Sequence, residues 1–166
     1  MKRLTLYLAV AVLSLGIAGT ASPVGSTASH TVTICVPSFN LVKVNVSSTV
    51  SLAWTESGDS LVGTDQSARL SWFTNVGSAS AKKITAQLAE ALPAGVTLKV
   101  QANVSGKSTH ATATGSQGLS TTPIDVVTGI YGEMVSDGAL RYEATVASEA
   151  DLSSDVVRSV TYTITD

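Results

Sequence analysis

The chain has 166 residues, 44% of them hydrophobic and 13% charged, with 10 Lys plus Arg against 12 Asp plus Glu. That balance excludes a strongly basic nucleic-acid binder and an acidic disordered tail; the absence of a glycine period, of a sustained heptad and of more than one cysteine excludes a collagen, a coiled coil and a zinc-finger array. Ser and Thr together make 44 residues and aromatics 5%, so many strand positions must be filled by small hydroxyl side chains.

Lys2 and Arg3 precede an apolar run from Leu4 to Ala18 that is broken only by Thr5, Ser14 and Gly16. A charged start, an apolar centre and small residues directly after it are the parts of a secretory signal peptide. The run is shorter than the roughly 20 residues a permanent membrane helix needs. Gly19 and Ala21 occupy the −3 and −1 places of a small-residue cleavage site, giving a leader of residues 1–21, and Ser26 with Ala28 offers a second site after residue 28. Residues 22–29 then form a flexible N-terminal segment, and residues 30–166 are long enough for a single domain with its own core. Loss of the leader removes Lys2 and Arg3, leaving 8 Lys plus Arg against 12 Asp plus Glu.

Period-two alternation dominates the remainder of the chain and predicts strands. His30 to Val36 puts Val32, Ile34 and Val36 on one face and Thr31, Thr33 and Cys35 on the other, until Pro37 ends the run or confines it to a sheet edge. Leu41 to Val46 and Val50 to Trp54 alternate next, as one bent strand or as a hairpin. Glu56 to Gln66 reads as a polar loop with a short Leu61-Val62 contact. Ala68, Leu70 and Trp72 then share a face, and Asn75 to Ser80 is a turn around Gly77.

From Ala81 to Leu92 the spacing of Ile84, Leu88 and Leu92 fits a helix, while Ile84, Ala86 and Leu88 fit a strand. Composition favours helix. The long alternation of Val96, Leu98, Val100, Ala102 and Val104, reached through the turn Leu92-Pro93-Ala94-Gly95, favours strand pairing, and we expect a strand. Thr109 to Ser116 is expected as an edge strand, Ile124 to Val127 as a short strand and Asp137-Gly138 as a turn. Leu140, Tyr142, Ala144 and Val146 then alternate into the core, and Val160, Tyr162 and Ile164 share one face of the closing strand. Eight or nine such strands make an all-β, Ig-like antiparallel β-sandwich.

The run Thr74 to Leu98 is similar to a pattern in Ig-like repeat domains of bacterial surface proteins. There an Asn and a Gly in a loop precede a strand, and Leu-Pro-x-Gly leads into another. Asn75, Gly77, Ile84, Leu92, Pro93, Gly95 and Val96 carry the likeness, while Ala91 stands where that family often has Asp. The resemblance implies strand over helix at residues 82–90 and an adhesive or scaffolding surface role; it carries no catalytic residue across. Chaperone-assembled pilus subunits are similar in architecture, although they usually hold an internal disulfide that the lone Cys35 cannot make.

No phosphate-cradling loop, H-E-x-x-H, G-x-S-x-G or cysteine pair occurs in the sequence. His110, set among threonines, has no local partner signature for nucleophilic catalysis. Glu149, Asp151 and Asp155 are the carboxylates that could serve calcium, but they lack an Asp-x-Asp-x-Asp ladder, and no cofactor is expected. Tyr131, between Gly129 and Gly132, is the expected exposed aromatic contact, and Trp54, Trp72 and Tyr162 are expected in the core because they stand in phase with Leu52, Leu70 and Ile164. Asn45-Val46-Ser47 and Asn103-Val104-Ser105 are formal glycosylation sequons.

The expectation is a non-enzymatic protein, secreted or held at the cell surface. It acts as a structural or adhesive component through contacts with itself or other surface proteins, as in a fibre or surface layer. Its strand-pairing candidates are Val32, Ile34, Val36, Val160, Tyr162 and Ile164. The alternative is a carbohydrate or small-ligand binding module. Mass spectrometry of the exported protein is expected to find Ser22 as its first residue; an N-terminus at Met1 would show a retained anchor.

Overall fold

The computed structural model describes residues 31, 33, 34, 36–46, 49–150 and 155–166. The chain divides into two units, Met1–Cys35 and Val36–Asp166. In the first, the described residues Thr31, Thr33 and Ile34 are exposed and belong to no strand.

The second unit is an all-β sandwich. Its eleven strands among the described residues exceed the eight or nine expected, because several are short. They are β1 (Asn40–Asn45), β2 (Ala53–Ser57), β3 (Ser60–Asp65), β4 (Arg69–Thr74), β5 (Lys82–Leu88), β6 (Val96–Asn103), β7 (Thr112–Ala113), β8 (Ser116–Gly118), β9 (Ile124–Ile130), β10 (Glu133–Ala147) and β11 (Val160–Thr165). Seven form one antiparallel sheet, in which β10 pairs with β6 along one edge and with β4 and then β3 along the other; β1 flanks β4, β2 flanks β3 and β8 flanks β6. The second sheet runs β11-β5-β9-β7, also antiparallel.

The alternating residues fill the space between the sheets. Leu70 and Trp72 of β4, Ile84, Ala86 and Leu88 of β5, Val100 and Ala102 of β6 and Leu140 of β10 are buried there together. Residues 82–88 are a strand, as expected, but its expected partner is corrected: Val96–Asn103 lies in the other sheet, and helix-favouring composition loses instead to a neighbour on each side, β9 and β11.

The Asp137-Gly138 turn is corrected. The chain does not reverse there. Ser136 and Asp137 together oppose Ser71, with Asp137 at φ 59° and its N–H donating to Ser71 Oγ at 3.2 Å. This is a β-bulge, and its extra residue shifts the inward set from Glu133 and Val135 to Leu140, Tyr142 and Ala144. The Asp-Gly pair is used for its tolerance of positive φ rather than for a hairpin.

Residues 56–66 are not a loop. They form most of the β2–β3 hairpin, closed by Gly58 at φ 60° and Asp59, and they read as polar because both faces of β2 are exposed. Val50 and Leu52 precede β2 rather than forming a strand with Trp54, so neither the bent strand nor the β1–β2 hairpin is present among the described residues. Trp54 is corrected from core to surface: it is 47% exposed, with its ring lying over Gly63 on the paired strand, where a Cβ would meet Trp54 Cε3 at 2.8 Å. Thr109 to Ser116 divides into β7, at the edge of one sheet, and β8, on the other. Residues 155–159 lead into β11 without strand pairing.

Glu133 is 9% exposed at one pole of the sandwich, where it accepts from Trp72 Nε1–H at 3.2 Å, Ser108 Oγ–H at 2.9 Å and Thr109 N–H at 3.2 Å. These donors satisfy a buried carboxylate and pin the 105–111 loop across that pole. Trp72→Ala removes a side chain that is 2% exposed together with one of those donors, and should cost roughly 3–5 kcal/mol in denaturant unfolding. In a Trp54→Phe variant the remaining Trp72 emission should resist iodide quenching; ready quenching would contradict its burial.

Candidate docking cleft

Along one lateral side the two sheets end in β1 and β11, each paired on one edge only among the described residues. The strands approach one another, and the sheets are tied there by Tyr142 of β10 and Tyr162 of β11, whose hydroxyls are 2.8 Å apart. Burial pushes both phenols above the ordinary tyrosine range: desolvation is the largest cause for each, and an ionised partner across the shared hydrogen bond adds to it for Tyr162.

Beyond this pair, towards the C-terminal end of β10, the sandwich opens into a cleft of about 930 Å3. Val44 of β1, Val96 and Leu98 of β6 and Ala144 and Val146 of β10 form one wall; Val160 and Tyr162 of β11 form the other. Val46, Thr49, Val50, Leu52 and Trp54 close it on the side of the β1–β2 connection, and Val156, Val157 and Arg158 on the side of the approach to β11. The polar groups are sparse: Arg158 Nε–H donates to the Ala91 carbonyl at 3.0 Å, and Asp155 stands at the margin. A lining of branched aliphatic side chains with little fixed polarity suits an apolar segment rather than a charged substrate.

The structure brings some of the expected site residues together and separates others. Val160, Tyr162 and Ile164 share the inward face of β11, with Val160 and Tyr162 in the cleft. Val32 lies outside the described residues. Ile34 and Val36 are 80% and 67% exposed and in no strand, so the strand expected over residues 30–36 is not formed within the described part of this chain. Tyr131, expected to be exposed, is half-buried, because its ring is stacked on His110 at 4.1 Å between centroids. Glu149 accepts from Ser148 Oγ at 3.3 Å, Asp155 is exposed at the cleft margin, and Asp151 lies outside the described residues. Among the described residues no group of three His, Cys, Asp or Glu side chains could hold a metal ion, and no helix is long and apolar enough to cross a membrane.

Sequence reasoning missed the cleft. Val46, Trp54 and Val157 were separable from core residues only through their positions in connections or in an end strand exposed on both faces, and alternation does not report that. Comparison with protein-family models, with curated proteins and with solved structures finds no significant match to this chain.

Because the folded-state pKa values of Tyr142 and Tyr162 are raised, the unfolded chain ionises first. The contribution of the pair is complete below about pH 10 and declines as pH rises above it. Unfolding at increasing pH should show stability falling above about pH 10, and the Tyr142→Phe/Tyr162→Phe variant should fall less steeply. Equal slopes would contradict the assignment.

Proposed function

We propose that the protein is an exported structural or adhesive component of the cell surface that works by binding protein segments, its own copies included, as a fibre or surface-layer subunit does. The observation that carries this reading is the apolar cleft of about 930 Å3 between two sheet edges. An apolar opening of this kind on a soluble domain marks an interaction surface, and an edge strand offers a row of N–H and C=O groups to an incoming strand. A partner strand satisfies both at once, with backbone bonds to the edge and alternate side chains in the cleft. The leader-like N-terminus and the local likeness to Ig-like repeats of bacterial surface proteins support the same role.

A second reading, a carbohydrate or small-ligand module, draws on Trp54, which is 47% exposed beside the cleft and so offers a ring face for stacking.

The mature chain, residues 22–166, should form larger species as its concentration rises in size-exclusion chromatography with light scattering, and negative-stain microscopy of native material should show it in assemblies. A strictly monomeric chain at every concentration would overturn the first reading. A saturable, Trp54-dependent fluorescence change with a sugar or apolar ligand would favour the second.

A further inference from the structure

We infer that the occupant of the cleft is the N-terminal segment of a second copy, residues 30–36, added as a strand to the edge of β11 that is unpaired among the described residues, with Val32, Ile34 and Val36 entering between the sheets. The inference rests on the assembly reading above and names its partner.

Chemistry and placement support it together. The segment alternates strictly, and no Lys, Arg, Asp or Glu occurs between Arg3 and Lys43, so a strand taken from it brings no charge into the apolar cleft. Seven extended residues span about 23 Å, enough to run along the six residues of β11. On β11 the inward positions Val160, Tyr162 and Ile164 are half-buried and the outward Thr161, Thr163 and Thr165 exposed. An added strand would match this division, with its apolar residues inward and Thr31, Thr33 and Cys35 outward.

The point of attachment lies at the end of the sandwich away from the cleft. Asn40 pairs with Thr74, which pairs in turn with Glu133, at the pole opposite the cleft. Just beyond, Asn75 fixes the incoming chain: its Oδ1 accepts from Phe39 N–H at 2.8 Å and its Nδ2–H donates to the Pro37 carbonyl at 2.9 Å. Phe39 also meets Phe73 edge-on at 4.6 Å. The chain therefore joins the sandwich at one pole while the cleft opens towards the other. A donor segment at one end and an acceptor at the opposite end make a head-to-tail contact, which repeats without closing and generates a filament.

The single native cysteine makes the test direct. Wild-type mature chain, carrying Cys35, is mixed under mild oxidation with copies bearing Cys35→Ser and one of Thr161→Cys, Thr163→Cys or Thr165→Cys. Strand neighbours bring Cα atoms to about 4.5–5.5 Å, within disulfide range. A disulfide-linked heterodimer, with the Cys35 junction mapped by mass spectrometry, should form at one or two of these positions and exceed that from a Cys35→Ser/Glu56→Cys control on β2. Ile34→Asp, at a side chain exposed in the single chain, should raise the concentration needed for assembly by about tenfold or more.

Assembly that persists unchanged in Ile34→Asp, with no preference for β11 in cross-linking, would overturn this inference and leave the assembly reading standing. In a Thr163→Cys variant that keeps Cys35, a disulfide formed only within single chains would overturn it in favour of self-complementation. A monomer at all concentrations without heterodimer would overturn both.

Discussion

The β-bulge at Ser136 and Asp137 is the constraint on which the rest of the sandwich depends. A fifteen-residue strand, Glu133–Ala147, is long enough to serve several partners. Its N-terminal part pairs with β4, its C-terminal part with β3, and its other edge with β6. Without the extra residue, strict alternation would send Leu140, Tyr142 and Ala144 to the outer face once Glu133 and Val135 faced inward. With it, both halves bury their apolar sets, and Gly138 lies 3.1 Å from the Leu70 carbonyl at the site a Cβ would take. One residue in a left-handed conformation therefore sets the packing parity of the central strand.

The two ends of this strand differ. At its start Glu133 gathers donors from Trp72, Ser108 and Thr109 and seals the pole under a loop. Towards its end the hydrogen-bonded tyrosines tie the sheets together on that side, and beyond them Ala144 and Val146 face an open cleft. Trp72 and Glu133 are buried at one end, whereas Val44, Ala144 and Val146 line the opening at the other.

That asymmetry is the physical basis for the proposed surface role. Apolar side chains left facing a gap and edge strands with unpaired backbone each lower their free energy by contact with another strand, and β11 itself carries neither the charges nor the prolines with which sandwiches usually protect an edge. Thr161, Thr163 and Thr165 make the outer face of β11 polar and exposed.

The sequence by itself determined the class of fold, because period-two alternation at 41–46, 68–73, 96–104 and 160–165 has no stable reading other than strands with one buried face. It also determined the burial of Trp72 and the strand state of 82–88, but not the partners of that strand: the alternation that follows, β6, lies in the other sheet, and β9 and β11 hold β5 instead. What it could not decide depends on which strand lies beside which. Asp137-Gly138 signals positive φ equally well for a hairpin and for a bulge, and only pairing with β4 selects the bulge. Trp54 stands in phase with Leu52, yet β2 is an end strand paired with β3 alone among the described residues and exposed on both faces, so phase did not translate into burial. The cleft is likewise a property of the tertiary structure, since alternation shows which residues point inward but not whether the opposite wall is close enough to meet them.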